Sequence, residues 1–533
     1  MIHEQLLLVI ALFFLMAMLY LLSQRFNISY PIFLVMGGLA ISFIPAIPNI
    51  IINPDLVFLI FLPPLLFEAA WHTSWNNFWK WKRPILLMGF GLVFCTSLAI
   101  AYLSASIIPG FTLALGFLLG GIISPPDAVA ATSVLKGMDM PRRGMAILEG
   151  ESLVNDAASL TVFRFALAAV LTGEFVFQKA ATDFLVLAVM GVFIGLVIGH
   201  ILYLVLRFWA KSSSITTPIT LIAPYLMYII AEEFHWSGVL SVVSGGLLLS
   251  YRSKDYLNYH TRMQTKEVWE TVGFLLNGFV FILIGLELPV IVGGLGDYSI
   301  SEAIWYSLII CAVIIVIRIA LVYLMDAISG WFGADTSVRD KNARKLDFII
   351  GWAGMRGVVS LASALAVPLV MNNGEAFPHR NLILFITFVV ILVTLVIQGL
   401  TLPLILRTMK MKEEEDVIPP EDQIDAIRLQ LTREALAYLR NKYPDEQDPR
   451  DAIGHIRELM ERKINLIEQD IQEQADSETM ASQKVRHKEV MLELVGLRRN
   501  GLQKLREAKA YDDEVLRDME YNLDLEEARL SRY

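Results

Sequence analysis

Apolar runs recur through the first three quarters of the chain, each close to the roughly 20 helical residues that a bilayer core needs. Thirteen such runs are read as membrane-spanning helices, near 5–22, 30–47, 54–71, 84–107, 111–135, 144–171, 181–208, 216–232, 237–251, 268–290, 301–327, 347–371 and 381–407. Two are irregular: 237–251 is short and Gly-rich, and 30–47 contains Pro31 and Pro45. Beyond residue 412 the pattern changes. Leu and Ile recur at spacings of three and four among mixed charges, as in Leu459, Ile464 and Ile467. That spacing predicts amphipathic helices near 421–442, 449–472, 479–510 and 511–530. The predicted fold class is an all-α integral membrane protein, with a membrane domain over 1–412 and an acidic helical tail over 413–533. Glu413–Asp416 and Pro419-Pro420 mark the boundary.

Composition sharpens this division. Of 533 residues, 55% are hydrophobic and 18% charged, against about 25% charged in soluble domains. That excludes a single soluble domain, a disordered chain and a collagen-like repeat. Residues 1–412 carry 25 Lys/Arg and 23 Asp/Glu, whereas 413–533 carry 19 and 30. The acidic balance belongs to the tail and argues against a nucleic-acid footprint. Cys95 and Cys311 both lie in apolar runs and are read as small buried side chains, with no disulfide framework or metal cluster. The first span follows His3 and Glu4 rather than a cationic segment, so it is read as a retained helix and not a signal peptide.

Loop charges set the orientation. With the N-terminus outside, the inner loops hold twenty Lys/Arg and the outer loops hold Lys179 and Arg380 alone. This asymmetry follows the positive-inside rule for a multi-pass protein of the cell membrane and puts the tail in the cytoplasm.

Charges at membrane depth are expensive and demand a reason. Counting about 1.5 Å per helical residue from the nearest inner basic residue puts Asp127, Asp156 and Arg356 about 13, 20 and 16 Å deep. Three separate spans thus bring charge towards the middle of the membrane. In Ser124-Pro125-Pro126-Asp127, each proline lacks an N–H and collides with the carbonyl four residues earlier, freeing Gly121 and Ile122. Free carbonyls beside a carboxylate suit a small hard cation. In Gly150–Asp156, helical spacing stacks Glu151 with Asn155 and Ser152 with Asp156. The glycines around Arg356 loosen the twelfth span, and a permanently charged Arg needs an anion, for which Glu151 is the expected partner. Arg318 is expected to pair with Asp326 or with headgroups, Arg164 to be structural, and His235 to be a solvated surface residue.

Spans 5 and 12 are both interrupted and occupy matching places if spans 1–6 and 8–13 are two repeats. Six spans per repeat with one linking span makes the repeats inverted. Paired broken segments in two halves point to a transporter site.

The segments FLPPLLFEAAW (61–71), SPPDAVAATSVLK (124–136), LEGESLVNDAASL (148–160) and GMRGVVSLASAL (354–365) resemble the bacterial sodium/proton exchangers. These belong to the cation/proton antiporter superfamily, which includes the animal sodium/proton exchangers. The resemblance implies a homodimer in membrane lipid, with a dimer-forming helical panel beside a mobile six-helix core and no cofactor. It implies that Asp156 binds cation and proton in turn, with Asn155 beside it. It further implies that Asp127 is the acid of the crossing unwound helix, that Ser152 helps ligate the cation, and that Glu68 lies near the cation path. Glu151 and Arg356 correspond to a buried ion pair. Relatives often carry Thr before the crossing-helix acid; Pro126 offers only its carbonyl. Asn155 is neutral where electrogenic relatives carry a second acid, which implies electroneutral exchange of Na⁺, or of K⁺ or Li⁺, for H⁺. The alternative is a cation channel gated by the tail. An enzyme is disfavoured, since no nucleophile–base pair stands out. The tail is expected to dimerise or stabilise the protein, or else to sense a ligand or partner.

Overall fold

Backbone amides in lipid have no water to bond, so a spanning chain must satisfy them within its own helices. A computed structural model describes residues 2–26, 29–43, 54–135, 138, 140–173, 177–210, 212–296, 298–331, 341–409, 420–444, 452–473, 478–507, 511 and 513–531. Pro45, Lys136, Lys211, Arg339, Lys410, Lys412, Glu413–Asp416 and Pro419 lie outside them, as does the Asp326 side chain. The chain divides into two compact units, Met1–Lys412 and Glu413–Tyr533.

The first unit comprises α1 (Ile2–Phe26), α2 (Tyr30–Ser42), α3 (Pro54–His72), α4 (Trp75–Lys80), α5 (Lys82–Ile107), α6 (Leu113–Ile123), α7 (Ala128–Leu135), α8 (Arg142–Thr172) and α9 (Phe177–Phe208). It continues with α10 (Ser213–Glu233), α11 (Gly238–Tyr256), α12 (Tyr259–Gly293), α13 (Ile300–Trp331), α14 (Lys341–Trp352), α15 (Val358–Leu365), α16 (Arg380–Val393) and α17 (Gly399–Met409). One π-helical turn, Thr394–Gln398, joins α16 to α17. Among the described residues eight helical spans are long and apolar enough to cross a membrane, and Ile10–Phe26, Tyr30–Ser42 and Leu59–His72 are shorter apolar helices.

Several helices begin at a side-chain cap that satisfies an orphan amide. Thr112 accepts from Leu115 N at 3.2 Å, Ser237 from Leu240 N at 3.3 Å and Asn258 from Thr261 N at 2.8 Å. The boundaries depart most from the hydropathy reading in two stretches. The stretch read as 347–371 starts earlier, at Lys341, and its helix stops at Leu365. Pro368 follows, and a residue before proline is driven out of the helical region. The stretch read as 268–290 begins at Tyr259, because Asn258 caps there and the charged first turns extend the helix.

The packing falls into two groups. In one, α1, α2 and α3 pack with α10, α11 and α12, and α9 lies along α11. In the other, α5, α6 and α8 pack together and α13 joins α5 to α14 and α16. Small residues set the α9–α11 crossing: a Cβ on Gly195 would meet the Ser241 carbonyl at 2.2 Å. Such close backbone approach is how helices associate where lipid supplies no hydrophobic drive. Cys311 is buried as expected, but Cys95 is exposed on α5, because an apolar run in a membrane protein includes the lipid-facing side.

The described residues of the second unit lie almost entirely in four helices: α18 (Pro420–Lys442), α19 (Ala452–Glu473), α20 (Glu478–Glu507) and α21 (Asp513–Ser531). α18 packs on α19, and α20 on α21. Salt bridges cross each pair, Arg440 to Glu461 at 2.7 Å in the first and Arg506 to Glu520 at 2.8 Å in the second.

Candidate functional site

The site forms where two interrupted helices cross. Residues 124–127 leave the helix between α6 and α7, and residues 353–357 do so between α14 and α15. Each break completes the other. The Asp127 amide donates to the Met355 carbonyl at 2.7 Å, instead of to the Ile123 carbonyl behind it. Ile123 O accepts from Arg356 Nε at 3.0 Å, and Gly354 O accepts from the same guanidinium. The Arg356 amide donates to Thr394 Oγ1 at 3.1 Å, at the start of the π turn. Arg356 is 1% exposed, so it brings positive charge to carbonyls at two helix C-terminal ends, where the backbone dipole is negative.

Asp127 is the hinge of this crossing. Its Oδ1 accepts from Val129 N at 2.8 Å and Ala130 N at 3.4 Å, capping its own half-helix. Its Oδ2 accepts from Val358 N at 3.3 Å, at the first residue of α15. One carboxylate therefore holds amides of both half-helices. Gly357 makes the approach feasible: a Cβ there would lie 1.7 Å from Asp127 Oδ2.

α8 lies against the crossing and carries four polar residues in two turns. Asn155 Nδ2 donates to Pro126 O at 3.1 Å, and the Ala128 amide donates to Ser152 Oγ at 3.4 Å. Glu151 is 1% exposed and bonded at both oxygens, but to Arg318, at 2.7 and 3.0 Å. The expected Glu151–Arg356 pair is thus replaced by Glu151–Arg318. The reason is rotational: Glu151 projects from α8 towards α13, while Arg356 is consumed by carbonyls of the break. Arg318 thus takes Glu151 of α8 as its partner, while the Asp326 side chain expected for it lies outside the described residues. The burial of Arg318 at 2% requires an anion, and that requirement was the available signal.

Asp156 differs from all of these. It is 8% exposed, and no hydrogen bond reaches its carboxylate among the described residues. It lines a cavity between the two helix groups, together with Asp127, Ser152 and Pro126. Glu68 and Asn277 line the same cavity from α3 and α12, and Ser360 from α15. A Cβ on Gly273 would meet Glu68 Cδ at 2.9 Å, so glycine there leaves room for the acid. Asn277 and Ser360 were not singled out in the sequence, since an isolated amide or hydroxyl in an apolar run carries no distinctive pattern. Asn155 stands behind the wall and reaches the break through Pro126 O. Among the described residues no three His, Cys, Asp or Glu side chains are grouped so as to hold a metal ion, and the oxygen-bearing side chains on the cavity wall are those of Glu68, Asp127, Asp156, Ser152, Ser360 and Asn277.

Elsewhere, Arg164 bonds Glu232 at 2.6 Å, and Glu232 also accepts from the Gly238 amide at 3.0 Å, tying α8 to the α10–α11 turn. His235 is exposed in that turn with a left-handed backbone, φ 58°.

An all-helical membrane body whose two broken helices cross beside a buried free acid has the architecture of a secondary transporter. The chain belongs to the sodium/hydrogen exchanger family: the family model described as "Sodium/hydrogen exchanger, transmembrane" matches residues 9–408. It is 31% identical over 426 residues to the sodium, potassium, lithium and rubidium/H(+) antiporter of Bacillus pumilus, covering 78% of this chain and 62% of that protein. It is 32% identical over 409 residues to the Na(+)/H(+) antiporter ApNhaP of Aphanothece halophytica, covering 76% and 74%. Its fold is similar to that of the sodium proton antiporter MjNhaP1 from Methanocaldococcus jannaschii, with a TM-score of 0.60 and 18% identity, over 75% of this chain and 99% of that one.

Proposed function

We propose that this protein exchanges a monovalent cation for H⁺ across the cell membrane, with Asp156 as the group that carries each in turn. The observation behind this reading is the contrast between Asp156 and its neighbours. Glu151 is neutralised by Arg318, and Asp127 is occupied by three amides. Among the described residues two cavity acids, Asp156 and Glu68, accept no hydrogen bond; Glu68 has His72 of its own helix 3.9 Å away, whereas Asp156 stands beside the crossing. An ionised carboxylate in a poorly hydrated site is costly, so Asp156 holds either a proton or a cation. Mutual exclusion is the coupling: one ligand leaves before the other binds. An empty, charged Asp156 is expensive to carry across, which suppresses leak.

The cavity lies between helices of the two packing groups, and alternating access follows if one group moves against the other. In this reading the thirteen spans form two inverted six-helix repeats, with α6–α7 and α14–α15 as equivalent broken members. The N-terminus is outside, the tail is cytoplasmic, and two copies form a homodimer in the lipid. Asn155 is neutral and engaged with Pro126 O, so one carboxylate exchanges one H⁺ for one cation and the cycle is electroneutral. Na⁺ is the proposed substrate, in line with the Na(+)/H(+) antiport for which ApNhaP is named. K⁺ and Li⁺ are the alternatives, in line with that of the Bacillus pumilus protein.

The test is proton movement in proteoliposomes on addition of each cation with the membrane potential clamped. The wild type should alkalinise the acid-loaded lumen, and Asp156→Asn should abolish the signal while remaining folded. Normal exchange by Asp156→Asn defeats the assignment, and flux that needs no opposing proton movement indicates a channel instead.

A further inference from the structure

Ser360 sits in the first turn of α15, two residues beyond the amide that Asp127 Oδ2 holds. It is 1% exposed, and its Oγ has no hydrogen-bond partner among the described residues. A serine hydroxyl in a helix normally turns back onto a carbonyl three or four residues earlier. Ser104, Ser133 and Ser159 all do so here, at 2.6, 2.7 and 2.9 Å. Ser360 does not, and neither does the buried Ser97 of α5; the Gly357 carbonyl three residues before Ser360 accepts from the Leu361 amide at 3.3 Å. Burying an unpaired hydroxyl is unfavourable, and such an atom calls for an explanation.

The cavity supplies one. Ser360 lines it opposite α8, with Asp127, Ser152 and Asp156 on the same boundary. A small hard cation replaces its lost water with several oxygens, and carbonyl and hydroxyl oxygens serve as well as carboxylates. Pro126 contributes no side-chain oxygen, and its carbonyl already accepts from Asn155. Neutral ligands also preserve one-for-one exchange, since they add coordination without adding charge.

We infer that the Ser360 hydroxyl is a ligand of the transported cation and helps to set which cation is preferred. This deepens the exchange reading and rests on it. Among the described residues the hydroxyl has no protein partner, which leaves it to the cation that enters the cavity. Removing it therefore weakens cation binding without weakening the empty protein.

The experiment compares wild type, Ser360→Ala and Ser360→Thr in proteoliposomes, with half-saturation measured separately for Na⁺, Li⁺ and K⁺. Thermal melting of the purified proteins is followed with and without each cation. Ser360→Ala is expected to raise half-saturation for the preferred cation about tenfold, equivalent to about 1.4 kcal/mol. The three cations should not shift by the same factor, the cation-free melting temperature should hold or rise, and the cation-induced rise in melting temperature should shrink. Ser360→Thr keeps the hydroxyl and should bind like wild type. Wild-type half-saturations and cation ratios in Ser360→Ala overturn the inference while leaving exchange by Asp156 intact. A lowered cation-free melting temperature with unchanged cation-induced stabilisation also overturns it, since that marks a packing role. If the wild type itself moves no protons in response to any cation, it is the exchange reading that falls.

Discussion

The chain places a Pro-Pro pair in two of its apolar helices, and the two pairs have opposite outcomes. Pro63-Pro64 lies inside α3, which remains helical from Pro54 to His72. Pro125-Pro126 ends a helix and opens a stretch of four non-helical residues. The local insult is the same in both, a lost amide and a clash with the carbonyl four residues back. What differs is who answers for the backbone. Around Pro64 the orphaned Ile60 carbonyl accepts from Tyr225 OH at 3.0 Å, a single side chain from α10. Around Pro125-Pro126 the answer is a second broken helix, which supplies the Met355 carbonyl, the Val358 amide and the Arg356 guanidinium. Proline makes a break available; a partner able to receive the exposed backbone makes it a site.

Three substitutions test that contrast, the most damaging first. Gly357→Ala should abolish exchange, since its Cβ would enter the space of Asp127 Oδ2 and force the half-helices apart. Gly357 has a negative φ, −150°, so the first obstacle to a side chain there is the contact with Asp127 and not a left-handed backbone. Full activity in proteoliposomes for this variant would remove the crossing as the organising contact. Arg356→Ala should leave the Ile123 and Gly354 carbonyls without that donor, at about 1–3 kcal/mol for each buried group. The expected readout is a clear fall in melting temperature, with cation half-saturation unchanged in the protein that survives. A stable variant with weakened cation binding instead would make Arg356 part of the ion site. Tyr225→Phe should have the smallest effect, about 1 kcal/mol of stability with exchange intact, because α3 keeps the rest of its helical bonds. Loss of exchange here would show that the two proline pairs are more alike in function than their geometry suggests.

The same contrast explains what was readable in advance. Asp127, Ser152 and Asp156 were legible because hydrophilic residues at membrane depth are rare and each stands in a recognisable run. Glu68 was legible on the same ground, beside Pro63-Pro64. The partner of Glu151 was not legible. Arg356 and Arg318 both lie in apolar spans, and nothing in a linear pattern states which of two arginines faces one face of α8. Ser360 was invisible for another reason: serines are common in helices and usually bond their own backbone, and only the absence of that bond together with its place on the cavity wall distinguishes it.

Hydropathy, loop charge and proline chemistry are properties of residues and their near neighbours, and lipid enforces them strictly, since no unpaired backbone survives there. For that reason the helical class, the broken segment at Pro125-Pro126 and the buried acids could be read directly from the sequence. Pairing between distant side chains depends on the rotation and crossing of helices, which packing alone sets. Only the folded chain could decide that Arg318 neutralises Glu151, that Arg356 closes the break, and that Asp156 faces the cavity unpaired.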